Sequence, residues 1–161
     1  MTATIKRKRI KYLLGSVIAI PLKDNKYAFA KTFDDGGFGV YDLIADCVLP
    51  LQDIIKHAIR FYQYGTDSAI KNGDWPVLGV EPFVPNEDSF LPPMATCYDR
   101  DSDTWTMSKP RIYYKGESFF VSAKEVKGLD IFGVCISPEA IVRVIEDRLI
   151  KGKHGYYMVK D

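Results

Sequence analysis

The run DRDSD at residues 99–103 carries carboxylates at alternate positions, which is the spacing with which a calcium loop begins. Such a loop also needs a glycine at its sixth position for a sharp turn and a bidentate glutamate at its twelfth. The chain has Thr104 and Pro110 at these positions. We therefore interpret the run as a solvated hairpin loop or as an acidic patch that faces a partner.

The histidines and cysteines of the sequence are few and scattered. Neither His57 nor His154 has a second histidine or a cysteine three or four residues away, as compact zinc sites do. Cys47, Cys97 and Cys135 are far apart and odd in number, which argues against a disulfide framework and against a Cys-x-x-Cys motif. We expect buried thiols, no metal and no cofactor.

The sequence motifs of common hydrolases and nucleotide-binding enzymes are also missing. The sequence contains no Gly-x-Ser-x-Gly elbow, no Gly-Lys-Ser/Thr phosphate loop and no dinucleotide fingerprint. The glycines at positions 36, 37 and 39 lack the spacing and the following helix that such a fingerprint needs, so they predict a hairpin turn. We expect no catalytic residues, and the chain is interpreted as a protein other than an enzyme.

Composition and charge favour a water-soluble domain without a strong overall field. The 161 residues are 47% hydrophobic and 27% charged, and 22 Lys and Arg nearly balance 21 Asp and Glu. A net charge of +1 selects neither nucleic acid nor a membrane surface. No apolar run approaches the ~20 residues of a membrane helix, and the basic start does not lead into a secretory signal. We expect a cytoplasmic protein with no membrane partner.

Turn residues separate three β-rich stretches in the first third of the chain. Residues 13–22, 26–33 and 38–44 are rich in Val, Ile, Phe and Tyr, and the intervening turns predict an antiparallel meander. Residues 53–64 alternate as in a strand but also carry a helical stripe of apolar residues. We favour a strand, with His57 on its apolar face as a core histidine.

The middle of the chain predicts short elements and one irregular connection. Residues 66–72 are typical of a short helix that Thr66 or Asp67 caps and Gly73 ends. Four prolines at positions 82, 85, 92 and 93 exclude a central strand there. Residues 94–98 and 104–107 predict a hairpin around the acidic run, and residues 111–115 with 118–122 predict another.

The C-terminal part carries the clearest helix signal. Ser137 is a good N-cap, Pro138 suits the first turn and Glu139 complements the helix dipole. Apolar residues recur at helical spacing as far as residue 149, so a helix over residues 137–151 covers the sheet. The elements together predict an α+β fold, a mainly antiparallel β-sheet with one C-terminal helix packed on it. Residues 1–11 form a basic N-terminal tail, and residues 12–161 form a single domain.

Four stretches of the first half occur in an unusual order. They are GSVIAIPL at residues 15–22, KYAFAK at 26–31, YDL at 41–43 and GDWPVLG at 73–79. In this order they resemble the immunity protein 26 family of bacterial polymorphic toxin systems, over residues 11–83. The resemblance implies a small, mostly β, cytoplasmic protein that binds and silences a toxin encoded beside it. It brings no catalytic motif to this chain.

The resemblance implies a stoichiometric inhibitor that occludes the active site of the toxin or locks its inactive state. Many toxin domains are nucleases with cationic clefts, so acidic residues with aromatic anchors are the natural contacts. The toxin-binding candidates are Glu81, Glu87, Asp88, Tyr98, Asp99, Asp101, Asp103 and Trp105. Some family members bear a phosphotriester hydrolase label, but this sequence has no metal-ligand cluster to support that activity.

Two other hypotheses belong to different classes of protein. The basic run KRKR at residues 6–9, with 10 Tyr and 9 Phe along the chain, would suit a nucleic-acid-binding module. The near-zero net charge argues against it. A small phosphotriester hydrolase that uses His57 or His154 is the third hypothesis.

Overall fold

The computed structural model describes residues 8–107, 109–153 and 157–160 of the chain. These residues form an α+β fold with a mainly antiparallel sheet and one C-terminal helix, as the sequence predicts. The strands are β1 (Ser16–Pro21), β2 (Tyr27–Thr32), β3 (Gly37–Ala45), β4 (Ile59–Gly65), β5 (Val77–Val80), β6 (Met94–Thr96), β7 (Tyr98–Asp99), β8 (Thr104–Trp105), β9 (Arg111–Tyr114), β10 (Glu117–Phe120) and β11 (Val134–Cys135). The helices are α1 (Leu51–Ile54), α2 (Ser68–Lys71), α3 (Ala123–Val126) and α4 (Pro138–Ile145), which continues as a π-helical turn, Glu146–Ile150.

The central sheet has six strands in the order β11-β4-β3-β2-β1-β5. The predicted meander is confirmed, because β1, β2 and β3 pair in antiparallel succession. Both faces of this sheet are covered, and alternate residues of β1 enter different apolar clusters. Ile18 and Ile20 pack in one cluster with residues of α4, whereas Val17 and Ala19 pack in the other with Ile54 of α1.

The helix α4 begins where the sequence predicts. Ser137 is its N-cap and its Oγ accepts a hydrogen bond of 3.2 Å from the Ala140 N–H, while Pro138 occupies the first position. Ile141 and Ile145 are fully buried against the sheet. The helix therefore covers one face of the sheet, and a π-helical turn ends it.

The segment at residues 53–64 differs from the predicted strand. Its first part belongs to α1, whose Ile54 is buried, and β4 begins only at Ile59. His57 lies in the turn between them and is exposed, so the prediction of a core histidine on an apolar strand face is wrong. Residues 51–54 are helical rather than extended because the helix places Ile54 in the apolar cluster on one face of the sheet.

The hairpin around the acidic run is shorter than predicted. Cys97 has a positive φ of 61°, which interrupts the strand after β6. Met94–Thr96 pairs instead with β9, in a sheet of order β10-β9-β6. Only β7 and β8 form the hairpin that carries the acidic run. The other predicted features of this half, the hairpin of β9 and β10 and the irregular proline-rich segment, are confirmed.

The cysteines are more exposed than the sequence predicts. Cys47 is exposed and Cys97 and Cys135 are half-buried, so the prediction of three buried thiols is wrong. Residues 1–7 of the predicted basic tail, like His154, lie outside the described residues. Among the helices that the structure describes, none has the length and apolar character to cross a membrane.

Candidate functional site

A cleft of about 490 Å³ lies between the β7–β8 hairpin, the β11 segment and α4. The hairpin lines it with the side chains at the start of the acidic run. Residues 131–136 form the wall at the edge of the sheet, and three residues of α4 form the wall opposite. The hairpin side chains are Tyr98, Asp99, Arg100 and Asp101, and the helix side chains are Ala140, Arg143 and Val144.

The loop of the hairpin is ordered by its own side chains. The Asp99 carboxylate accepts hydrogen bonds from the Ser102 hydroxyl at 2.7 Å and from the Asp101 N–H at 3.0 Å. These bonds, that from Ser102 above all, hold the pKa of the Asp99 carboxyl below its ordinary value. The carboxylate of Asp101 is exposed and is held at the cleft by this turn.

Aromatic packing between β7 and β8 supports the same loop. The Tyr98 hydroxyl donates to the Asp103 carboxylate, and the Tyr98 ring meets the Trp105 ring edge-on with 5.0 Å between centroids. Asp103 has a positive φ of 55°, a conformation that aspartate tolerates better than most residues. The hairpin therefore presents Asp101 on a turn that hydrogen bonds and aromatic packing stabilise.

Two arginines and a thiol line the same cleft as these carboxylates. Arg100 and Arg143 both line the cleft, and the Arg100 guanidinium lies 5.3 Å from the centroid of the Tyr157 ring. Burial raises the pKa of the Cys135 thiol, although the charges of both arginines oppose the shift. The thiol is protonated at neutral pH and so is a poor nucleophile.

The sheet-edge wall of the cleft exposes large apolar side chains. Val134 is 58% exposed and Ile136 is 89% exposed. A Cβ placed on the neighbouring Gly133 would meet no atom within 4 Å, so the face of the chain at this glycine is uncovered. Exposed apolar side chains rimmed by charges are typical of surfaces that bind other proteins.

The sequence-based candidates fall into three groups, of which the hairpin is the first. Tyr98, Asp99 and Asp101 line the cleft, and Asp103 and Trp105 support them from the same hairpin. The structure thus brings together five of the eight predicted residues.

Glu81 and Glu87 belong to a second group around a buried cation. Lys31 is 3% exposed, and its Nζ lies 3.6 Å from Glu81 Oε2 and 4.0 Å from Glu87 Oε1. Its Nζ also lies 4.1 Å from the centroid of the Phe83 ring. The Tyr41 hydroxyl donates to Glu81, and burial, reinforced by Glu81, raises the pKa of Tyr41. These two glutamates hold the proline-rich segment on the sheet.

Asp88 forms the third group, beside the β9–β10 hairpin. Its carboxylate accepts from the Tyr114 hydroxyl and lies 3.6 Å from the Lys115 Nζ. The hydrogen bond from Tyr114 lowers the pKa of Asp88 most, and the Lys115 charge adds to it. Asp88 therefore pairs with side chains outside the cleft.

Sequence reasoning missed the cleft residues Val134, Ile136 and Arg143. Ile136 directly precedes the N-cap Ser137, a position at which an apolar residue usually packs on the first turn of the helix. Its 89% exposure is visible only in the structure. Arg143 lies within a helix whose apolar stripe dominates the sequence pattern.

The cleft is of a kind that can bind a polypeptide. Among residues 8–107, 109–153 and 157–160, no three His, Cys, Asp or Glu side chains are placed to hold a metal ion. The cleft instead combines apolar side chains with charges of both signs, as protein interfaces do. Comparison of the chain with models of known families, with curated proteins and with solved structures found no match.

Proposed function

We propose that the chain is a cytoplasmic immunity protein that binds and neutralises a cognate bacterial toxin encoded beside it, by stoichiometric protein–protein inhibition. The resemblance at residues 15–22 and 73–79 to the immunity protein 26 family supports the class of protein. The structural observation that carries the proposal is the side chain of Ile136, which is 89% exposed and lies beside an acidic loop that is ordered by its own hydrogen bonds.

The cleft and its hairpin are the surface that meets the toxin. Ile136 inserts into an apolar pocket of the partner, and Asp101 faces a cationic patch such as a nuclease uses for its substrate. An interface of standard size, about 1,600 Å² in total, is wide enough to cover an active site. Inhibition then follows from occlusion and needs no turnover by the immunity protein.

Co-expression tests this proposal in cells. The full chain is expressed together with the product of the adjacent upstream gene, and growth and co-purification are followed. We expect growth to be restored and the two proteins to purify as a complex. Continued growth arrest at equal expression, with no complex, would contradict an immunity function.

A matched pair of variants assigns the surface. Ile136→Ser removes the exposed anchor of the cleft, and we expect the affinity for the toxin to fall at least about tenfold, as for a buried apolar anchor. Val84→Ser is the control, because Val84 is similarly exposed, at 62%, but lies in the proline-rich segment. Equal affinities for the two variants would remove the cleft from the interface.

A further inference from the structure

The strand β11 lies at the edge of the central sheet, and β6, which runs beside the residues just before it, does not extend along β11. Just before β11, the chain runs beside β6, where the Phe132 N–H donates to the Ala95 carbonyl at 2.7 Å and Ala95 bridges Ile131 in parallel. Cys97, with its φ of 61°, then turns the chain away into β7. The segment that ends in β11 continues along β4. The chain after β6 and the chain of β11 therefore diverge, and the cleft lies between them.

The hydrogen-bond directions of β11 follow from its register. Val134 pairs with Tyr64 and Cys135 with Gly65, and the Cys135 carbonyl accepts from the Thr66 N–H at 3.1 Å. Since the main-chain groups of successive strand residues point in opposite directions, those of Val134 and Ile136 face away from β4. Within the part of the chain that the structure describes, the Ile136 N–H has no hydrogen-bond acceptor.

An edge of this kind is a template for a further strand. Unpaired main-chain groups of an edge strand bind extended segments, and the flanking side chains select them. Here the cleft of about 490 Å³ beside residues 131–136 leaves room for a second backbone, and Val134 and Ile136 offer apolar contacts. Asp99, Arg100 and Asp101 on the hairpin side, and Arg143 on the helix side, supply charges of both signs along the cleft.

We infer that an extended segment of the toxin adds to the outer edge of β11 as a seventh strand of the central sheet. Its main chain pairs with Val134 and Ile136, its apolar side chains contact these two residues, and a Lys or Arg of the segment faces Asp101. This inference rests on the proposed function for the identity of the partner. Its geometric basis, the diverging strands and the open edge, is independent of that function.

Amide hydrogen exchange tests the mode of binding on the unmodified chain. Exchange is measured for the full chain alone and with the product of the adjacent upstream gene. We expect the Val134 and Ile136 amides to exchange at least about tenfold more slowly in the complex, because each gains an acceptor. The Ser118 amide in β10, at the edge of another sheet, is the internal control and should exchange unchanged.

The outcomes separate the two proposals. A complex that protects Val134 and Ile136 supports both of them. A complex that leaves both amides exchanging as in the free chain overturns strand addition and leaves the immunity function standing. The absence of any complex overturns the immunity function, and strand addition of this partner with it.

A proline variant gives a second readout that depends on the main chain. Val134→Pro removes an outward N–H, a change that edge strands tolerate. We expect at least about a tenfold loss of affinity for Val134→Pro, and less than about a threefold loss for the β-branched control Val134→Thr. Wild-type affinity of a folded Val134→Pro chain would overturn strand addition. If thermal unfolding shows that this variant is not folded, the exchange experiment decides.

Discussion

Lys31 is a cation that the central sheet buries, and its surroundings explain how an ammonium group is tolerated there. Burying a charge is costly unless partners compensate for the lost hydration. Glu81, Glu87 and the face of Phe83 provide this compensation. Since these three residues belong to the proline-rich segment, the charge of Lys31 also fixes the path of that segment over the sheet.

Removal of this cation should destabilise the fold. We expect Lys31→Ala to lower the free energy of unfolding by about 2–3 kcal/mol, less than for a fully buried pair because both glutamates are partly exposed. Lys26→Ala is the control, since Lys26 pairs with Asp46 on the surface and should cost less than about 1 kcal/mol. Urea unfolding monitored by circular dichroism measures both, and equal losses would contradict the structural role of Lys31.

Asp101 is the carboxylate best suited to test electrostatic recognition, because Asp99 has a structural role in the loop. We expect Asp101→Asn to slow association with the toxin about threefold at low salt and to have less effect at high salt. Asp24→Asn is the matched control, since Asp24 is exposed and lies in a different turn. Stopped-flow association at two ionic strengths distinguishes them. An unchanged association rate for Asp101→Asn would exclude steering by this carboxylate.

Tyrosines that donate to carboxylates should make the fold sensitive to alkali. Burial, with the Asp67, Glu81 and Asp35 carboxylates respectively, raises the pKa of Tyr12, Tyr41 and Tyr64. A tyrosine whose folded pKa is raised stabilises the fold below its unfolded pKa near 10, and this stabilisation is lost as the pH rises towards the folded pKa. Each group contributes at most about 1.4 kcal/mol per pH unit above pH 10.

The prediction is a free energy of unfolding that falls above pH 10, and falls less steeply in Tyr41→Phe. Urea unfolding between pH 7 and pH 11 measures the slope. Tyr27→Phe is the control, because the structure gives Tyr27 no carboxylate partner among the residues it describes. Identical slopes of the free energy of unfolding against pH above pH 10, for the wild type and Tyr41→Phe, would show that deprotonation of Tyr41 does not contribute to the loss of stability.

Among the elements, those with local signals could be predicted from the sequence. The meander of β1 to β3 is predictable because each strand pairs with the next one along the chain across a short turn. The helix α4 is predictable because its cap and its apolar stripe lie within a few residues of one another. The turn of the acidic hairpin is predictable for the same reason, although the strands that flank it are shorter than predicted.

The N-cap of α4 should contribute measurably to the stability of the fold. Ser137→Ala removes the acceptor for the Ala140 N–H, and we expect the free energy of unfolding to fall by about 1 kcal/mol. Ser68→Ala is the control, because Ser68 begins α2 with its side chain exposed, and it should change stability by less than about 0.5 kcal/mol. A loss from Ser137→Ala no larger than that of the control would contradict the role of the cap.

The sheet-edge wall of the cleft could not be predicted, because its contacts are distant in the sequence. The strand β11 consists of two residues whose partners are Tyr64 and Gly65, and no local pattern indicates a parallel pairing of that kind. Cys97 has a positive φ that its residue type does not predict. The exposure of Ile136 likewise has no local signal in the sequence, so the apolar part of the site appears only after folding.

At the scale of the whole molecule, a net charge of +1 conceals an uneven distribution. The sequence has a basic beginning, whereas the β7–β8 hairpin presents carboxylates at the cleft. Arg100 and Arg143 in the same cleft keep it from being uniformly acidic. Recognition is therefore expected to depend on shape and on apolar contact as well as on attraction, which favours one specific partner over cationic surfaces in general.

Titration of the toxin's activity with the purified chain is the decisive test of neutralisation by stoichiometric binding. The activity of the product of the adjacent upstream gene is measured while the chain is added in increasing amounts. We expect a linear loss of activity that reaches zero at one chain per toxin, with Ile136→Ser requiring a clear excess. Full toxin activity in the presence of a large excess of the folded chain would contradict neutralisation by stoichiometric binding.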